Sequence, residues 1–221
     1  MIFVNLLFVA CGSHVYSDGN EAPLPVEQES KIEQADKLFL ASADNKNLYT
    51  FETNKKKYLS SKGTTFWSVK KNNTTNKLFT TRTVRVVKES GSPKAGFGMV
   101  FCVQESESKG SFNMFAVLLN TNGQYAVGKL IKGNYTNIQW WTDSNFINRG
   151  FGAINYIRVE YNSETMEFTL FINDSELLKF SDSDSSPRLN YGSDGYVAVL
   201  DGKEDFSVSN TKITFLEIGE N

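Results

Sequence analysis

The strongest constraint in the sequence is a period of two, which runs from about residue 47 to residue 216 and is broken by frequent turn signals. Phe97, Met99 and Phe101 form one such alternating series. Successive side chains of a strand point to opposite faces of a sheet, so this period indicates strands with one buried face. Many short strands without helical patterns between them predict an all-β, two-sheet antiparallel β-sandwich. The predicted strands are Leu78–Val87, Gly96–Gln104, Phe112–Leu119, Tyr125–Ile131, Ile138–Trp141, Tyr156–Tyr161, Phe168–Ile172, Glu176–Phe180, Tyr196–Leu200 and Lys212–Leu216.

Short polar turns separate several of these strands. Asn122-Gly123, Lys132-Gly133 and Asn173-Asp174 each stand between two apolar runs, which is typical of hairpins. Phe112–Leu119 differs from the other strands because it is apolar at both odd and even positions. This pattern predicts a strand that is buried on two sides.

The N-terminus has the features of an export signal. Residues 1–10 carry no charge and are nearly all apolar, and Ala10 precedes Cys11. This stretch resembles the end of a bacterial lipoprotein signal, which would make Cys11 the lipid attachment point. The alternative, a buried strand, is disfavoured because residues 12–30 are polar and linker-like. Because a bilayer span takes about 20 residues, we expect a lipid anchor on the bacterial cell envelope as the contact with the membrane.

Residues 25–41 contain the one plausible helix. Pro25 suits a first helical turn, and Ile32, Ala35 and Phe39 would share one helical face. We therefore predict a signal at 1–10, a tether with a possible short helix at 11–45, and the β-sandwich at 46–221.

The scarcity of histidine and cysteine excludes several chemistries. The sequence has one His, His14 in the tether, and two Cys, which are too few for a His-rich or all-cysteine zinc site. A nucleophilic triad needs a base, most often His, and the predicted sandwich contains none. We assign no catalytic residue and no metal site, and we predict that Cys102 is a buried structural cysteine.

Charge is balanced over the whole chain but not along it. The net charge of -2 gives no indication of a nucleic-acid partner. Residues 50–100 carry 11 Lys/Arg against 2 Asp/Glu, whereas residues 160–221 carry 4 against 13. Cross-strand ion pairs between the two halves are one interpretation. The other is a basic patch near Lys55–Lys57, Lys70 and Lys71.

The order of these motifs resembles the concanavalin A-like lectin/glucanase superfamily, especially its laminin-G-like and 3-keto-disaccharide-hydrolase-like branches. The resemblance rests on Ala95–Phe101, Phe115–Asn120, Gly123–Lys129, Ile157–Glu160, Phe168–Asp174 and Gly195–Leu200. It implies a jelly-roll sandwich, and it implies glycan binding, which in some members is accompanied by hydrolysis. The glucanase branch carries a Glu-x-Asp-x-x-Glu motif that this sequence lacks, so its catalytic roles cannot be transferred.

Aromatic residues and one arginine are the candidate ligand-binding residues. Trp140 and Trp141 are adjacent in a predicted strand, so one can be exposed and stack on the apolar face of a sugar ring. Tyr135 and Tyr191 could flank it, and Arg158 could donate a bidentate pair to hydroxyls or a carboxylate. The alternative is that both tryptophans lie in the core and Arg158 is an ordinary surface residue.

Acidic residues raise two further possibilities. Asp182 and Asp184 could ligate calcium with help from Asp194 or Asp201, although a solvated acidic loop is favoured and no cofactor is expected. Glu160 and a loop Asp could serve as paired carboxylates for glycoside hydrolysis.

Three functions remain open. The first is a lipid-anchored, non-catalytic protein that binds a glycan or polysaccharide on the bacterial envelope. The second is a glycoside-active enzyme of the 3-keto-disaccharide-hydrolase type. The third is an adhesive or structural lipoprotein that contacts a protein partner through the basic patch.

Overall fold

The computed structural model describes residues 32–34, 37–53, 63–69, 78–106, 111–181, 188–200 and 210–219. These residues form two seven-stranded sheets and contain no helix, so the predicted β-sandwich is confirmed. The strands are β1 (Ile32–Gln34), β2 (Phe39–Ala41), β3 (Leu48–Glu52), β4 (Thr65–Val69), β5 (Thr81–Ser90), β6 (Phe97–Glu105), β7 (Phe112–Leu119), β8 (Gln124–Ile131), β9 (Asn134–Asp143), β10 (Ile154–Asn162), β11 (Glu167–Ile172), β12 (Ser175–Ser181), β13 (Ser193–Val199) and β14 (Lys212–Ile218).

Each sheet mixes early and late strands. The first sheet has the order β1-β4-β13-β6-β7-β8-β9, and the second has the order β12-β11-β10-β5-β14-β3-β2. Pairing is antiparallel except between β1 and β4, which run parallel. The predicted Lys132-Gly133 and Asn173-Asp174 turns close two of the hairpins, with φ of 49° and 83° in the first and 50° and 65° in the second. Two successive positive φ values match the twist of the flanking strands, which is why such turns are favoured in hairpins.

The predicted helix over residues 25–41 is wrong where the structure describes it. Ile32–Gln34 and Phe39–Ala41 are strands, and they belong to different sheets. The sandwich therefore includes residues before position 46. Phe39 is buried against Phe51, with ring centroids 4.9 Å apart. Burying this ring stabilises the strand by about 2 kcal/mol, which exceeds the few tenths that each helical side-chain pair contributes.

An aromatic core fills the space between the sheets. Phe101 and Phe115 of the first sheet contact Phe168 of the second, at centroid distances of 5.5 Å and 5.1 Å. Phe180 stacks on Phe168 at 5.3 Å. Phe101 and Phe168 come from the alternating apolar positions that the sequence indicated for β6 and β11, so for these two strands the period of two identified the buried face correctly.

The first sheet is apolar on its outer face as well. Trp67, Val100, Leu118 and Val197 point away from the main core, yet all four are buried. The prediction that Phe112–Leu119 is buried on two sides is therefore confirmed. Cys102 is also buried, as predicted, in the main core.

An ion cluster joins the two sheets. Arg82 of β5 contacts Glu217 of β14 and, at 2.7 Å, Asp194 of β13. The Tyr196 hydroxyl donates to Glu217 at 2.5 Å, and burial raises the pKa of this tyrosine above its ordinary value. Arg82 lies in the basic early half and its partners lie in the acidic late half, so these pairs match the predicted neutralisation. The proposed basic patch at Lys55–Lys57, Lys70 and Lys71 lies outside the described residues.

Candidate functional site

The two adjacent tryptophans of β9 lie in different surroundings. The side chain of Trp140 is 58% exposed. Trp141 points to the opposite face and is half-buried within the apolar outer face of the first sheet. A Cβ at Gly96 would lie 3.1 Å from the Trp141 ring, so glycine leaves room for it. Trp140 is therefore the tryptophan that is available to a ligand.

The two predicted tyrosines lie apart from each other. Tyr135 packs across Gly128 on the outer face of the first sheet, where a Cβ at position 128 would overlap its ring. Burial raises the pKa of the Tyr135 hydroxyl above its ordinary value. Tyr191 is exposed and forms an isolated bridge with Leu78, and its carbonyl accepts a hydrogen bond from Gln104 near the end of β6. Tyr135 therefore shares strand β9 with Trp140, whereas Tyr191 lies beside β6.

Arg158 lies on the outer face of the second sheet. Its guanidinium stands over the Phe171 ring at 4.0 Å. It is ion-paired with Glu160 and lies 3.7 Å from the Asp174 carboxylate. The five predicted ligand-binding residues thus occupy several separate places and do not form one site.

The structure shows a different concentration of exposed apolar side chains, around the loop between β9 and β10. Phe146 is 52% exposed and Tyr156 is 41% exposed, and Phe151 and Ile154 are exposed beside them in sequence. Ile154 and Tyr156 lie at alternate positions of β10, on the same outer face as Arg158. We call Phe146, Phe151, Ile154, Tyr156 and Arg158 the β10 surface.

Asparagine side chains hold the β10 surface in place. Asn173, in the β11–β12 turn, donates its side-chain amide to the Phe146 carbonyl at 2.7 Å and to Asn155 Oδ1 at 2.9 Å. Its Oδ1 accepts the Tyr156 backbone N–H at 2.9 Å. One asparagine therefore fixes the backbone of both the loop and β10.

A second asparagine closes the loop on itself. Asn148 donates its side-chain amide to the Ile154 carbonyl at 2.8 Å, and its backbone N–H donates to Asn155 Oδ1 at 2.8 Å. Further along the loop, the Gly152 N–H donates to the Lys88 carbonyl at 2.9 Å, which ties the loop to β5. Rings carried on a loop with these bonds lose little conformational freedom when a ligand binds.

Sequence reasoning assigned no role to the four apolar members of this surface. A signal existed for Tyr156, because it alternates with the buried Ile157 and must point outward with Arg158. No comparable signal existed for Phe146 and Phe151, because a loop has no period from which exposure can be read.

The described residues contain no group of three or more His, Cys, Asp or Glu side chains that could hold a metal ion. Of the acidic residues considered for calcium, Asp194 is ion-paired with Arg82, and Asp182, Asp184 and Asp201 lie outside the described residues. Cys11 also lies outside them. No helix long and apolar enough to cross a bilayer occurs in the described part of the chain.

Comparison with solved structures identifies the fold. The chain is similar to a β-glucanase of Bacillus licheniformis, at 6% identity and a TM-score of 0.54, over 95% of this chain and 91% of that one. It is also similar to the laminarinase catalytic domain of Thermotoga maritima, at 6% identity and a TM-score of 0.51, over 87% and 84%. These likenesses show that the chain has the jelly-roll β-sandwich fold of these two proteins. No protein-family model and no curated protein matches the chain.

Proposed function

We propose that this protein binds a glycan or polysaccharide without cleaving it, while a lipid on Cys11 anchors it to the bacterial cell envelope. The observation that carries the glycan-binding part is the group of exposed aromatic rings on and beside the β9–β10 loop. Exposed rings are costly in water unless a partner covers them, and the apolar faces of sugar rings are suitable partners. The fold supports the same proposal, because two proteins that share it are a β-glucanase and a laminarinase by name.

The non-catalytic part of the proposal rests on the carboxylates. The sequence lacks the Glu-x-Asp-x-x-Glu motif of the glucanase branch. A glycosidase needs one protonated carboxyl as general acid and a second carboxylate as nucleophile or base. Glu160 is ion-paired with Arg158 and is partly exposed to water, which suits a positioning role for Arg158 better than proton donation.

Retention on insoluble polysaccharides tests glycan binding. The full chain is incubated with a panel of neutral and charged polysaccharides, and the bound fraction is measured against protein alone. We expect retention on at least one member of the panel and reduced retention for Phe146→Ala, because this exposed ring belongs to the group that carries the proposal. Trp140→Ala is measured beside it, because Trp140 is the exposed tryptophan of β9. Trp141→Ala is unsuitable as a test variant, because Trp141 packs within the sheet face and its loss would perturb the fold. If no polysaccharide retains the protein, glycan binding is refuted.

Metabolic labelling with a fatty acid tests the anchor. The full chain, expressed in a bacterium with its own N-terminus, should incorporate the label and partition with membranes. Cys11→Ser should remove both the label and the membrane association, whereas Cys102→Ser should leave them unchanged. Labelling of the Cys11→Ser protein would contradict lipid attachment at this residue.

The second candidate function is glycoside hydrolysis, and one observation favours it. Glu160 and Asp174 both approach the guanidinium of Arg158, so two carboxylates lie on one exposed surface. Release of reducing sugar from a polysaccharide that the protein binds would support this function, provided that Glu160→Gln abolishes the release. Intact polysaccharide after long incubation would contradict hydrolysis, and glycan binding would then be the function that remains.

A further inference from the structure

We infer that the β10 surface binds a neutral chain of sugars and selects against anionic glycans and lipid surfaces. This inference rests on the proposed glycan-binding function and names its site and its ligand class. The residues that carry it are Phe146, Phe151, Ile154, Tyr156 and Arg158.

The first step is the shape of the surface. Ile154, Tyr156 and Arg158 follow one another along the outer face of β10, at intervals of about 6.7 Å. Phe146 lies beside Tyr156, because Asn173 binds the backbone of both residues. The surface thus presents a row of apolar side chains that is longer than one sugar ring. Such a row suits an extended chain better than a single small molecule.

The second step is the charge of the surface. The Arg158 guanidinium already has two carboxylate neighbours, Glu160 and Asp174, and lies over the Phe171 ring. It therefore offers an anion no unneutralised charge. A guanidinium held in this way can still donate hydrogen bonds to hydroxyl groups through its remaining N–H groups.

The charged residues on the neighbouring strands add no excess of positive charge to this surface. Arg85 of β5 lies opposite Tyr156, and Glu176 of β12 lies opposite Phe171. Lys179 is 3.7 Å from Glu176. Apart from the buried Lys88 and the ion-paired Arg82, these strands, the β9–β10 loop and the adjoining turn carry four cations and five carboxylates: Arg85, Arg149, Arg158 and Lys179 against Glu89, Glu160, Glu167, Asp174 and Glu176. Anionic membranes and anionic polysaccharides attract surfaces with an excess of Lys and Arg, which this surface lacks.

The third step is the chemistry that remains. Apolar side chains and hydrogen-bonding groups lie side by side on this surface without an excess of positive charge, which matches a pyranose ring with its apolar C–H face and its rim of hydroxyls. A partner that lacked hydroxyls would leave Arg158, Glu160 and Asp174 without new hydrogen bonds. The neutral polysaccharide is therefore the occupant that the chemistry of this surface favours.

Affinity electrophoresis of the full chain tests the inference. The gels contain lichenan as a neutral glucan or polygalacturonate as an anionic polysaccharide, and sedimentation with vesicles of phosphatidylethanolamine and phosphatidylglycerol is run in parallel. The test variants are Tyr156→Ala and Phe146→Ala, with Tyr156→Phe as the conservative variant. Leu40→Ala is the matched control, because Leu40 is an exposed apolar residue of the same sheet on edge strand β2.

We expect retardation by lichenan that does not change between low and high salt, because no charge pair contributes to it. Tyr156→Ala and Phe146→Ala should each weaken binding about tenfold, a loss in the range of a single aromatic contact. Tyr156→Phe and Leu40→Ala should bind like the original protein.

The contrary results have different meanings. Lichenan binding that is unaffected by both alanine variants would overturn the β10 surface as the site but leave the glycan-binding function standing. Stronger, salt-sensitive retardation by polygalacturonate would overturn the neutral ligand class alone. Sedimentation with vesicles in the absence of any polysaccharide binding would overturn both the inference and the proposed function.

Discussion

Asn173 is the residue whose replacement tests most directly how the β10 surface is held. Its side chain makes three hydrogen bonds, to the Phe146 carbonyl, to Asn155 and from the Tyr156 N–H, and its own φ of 50° is in the left-handed region. Asn173→Ala removes all three bonds and also places alanine in a backbone conformation that asparagine tolerates better.

The expected cost follows from the exposure of each bond. The bond to Asn155 is partly buried and contributes about 1 kcal/mol. The other two bonds lie at exposed positions where water can replace the lost partner, so they contribute about 0.5 kcal/mol each. Alanine at positive φ adds about 1 kcal/mol. We therefore expect Asn173→Ala to lower the free energy of unfolding by about 3 kcal/mol.

Asp174→Ala is the matched control for this variant. Asp174 lies in the same turn at a φ of 65°, but its one described contact is an exposed ion pair with Arg158 at 3.7 Å. Asp174→Ala should lower the free energy of unfolding by about 1 kcal/mol, because alanine is strained at positive φ and the exposed ion pair contributes little. The difference of about 2 kcal/mol between the two variants then measures the three side-chain bonds of Asn173.

Urea unfolding and amide hydrogen exchange provide the two readouts. Asn173→Ala should shift the unfolding midpoint to lower urea than Asp174→Ala does, and only Asn173→Ala should speed exchange at the Tyr156 N–H. Equal stabilities of the two variants, together with unchanged exchange at Tyr156, would refute the role given to Asn173.

Three further predictions concern stability. Lys88 is 1% exposed, and its ammonium donates to the Ser92 and Ala95 carbonyls at 2.5 Å and 2.8 Å. Lys88→Met should lower the free energy of unfolding in urea by about 3 kcal/mol, because two carbonyls lose a charged donor. A loss below 1 kcal/mol would contradict this prediction. Trp141→Ala should lower the thermal midpoint by several degrees because it leaves a void in the packed sheet face, whereas Trp140→Ala should change it little. Burial raises the pKa of Tyr196 in the folded protein, so above about pH 10 this tyrosine loses its proton more readily in the unfolded chain. The free energy of unfolding must therefore fall as pH rises. Unfolding midpoints measured from pH 8 to 11 should show this fall, and the fall should be smaller in Tyr196→Phe.

The strands were predictable because the alternation of side chains records burial directly. The predicted strand Phe112–Leu119 has the observed bounds, and its double-sided burial was visible as an apolar run. The Asn173-Asp174 turn was predictable for a local reason, since these residue types tolerate the positive φ that a two-residue hairpin requires.

The helix prediction failed because local preference competed with distant burial. Helical spacing of Ile32, Ala35 and Phe39 is a property of the segment alone, and it is worth a few tenths of a kcal/mol per pair. The position of Phe39 depends instead on Phe51 and Phe215, which the fold brings to 4.9 Å and 5.9 Å from its ring. No pattern within residues 25–41 indicates those contacts.

Alternation along the chain was enough to predict the β-sandwich, most of its strands and the outward direction of Arg158. It could not predict that Trp140 rather than Trp141 is exposed, or that Phe146 lies beside Tyr156. A period of two reports which residues of one strand share a face, but it does not report what covers that face. Whether a face meets water, a neighbouring sheet or a loop depends on contacts between residues far apart in the chain.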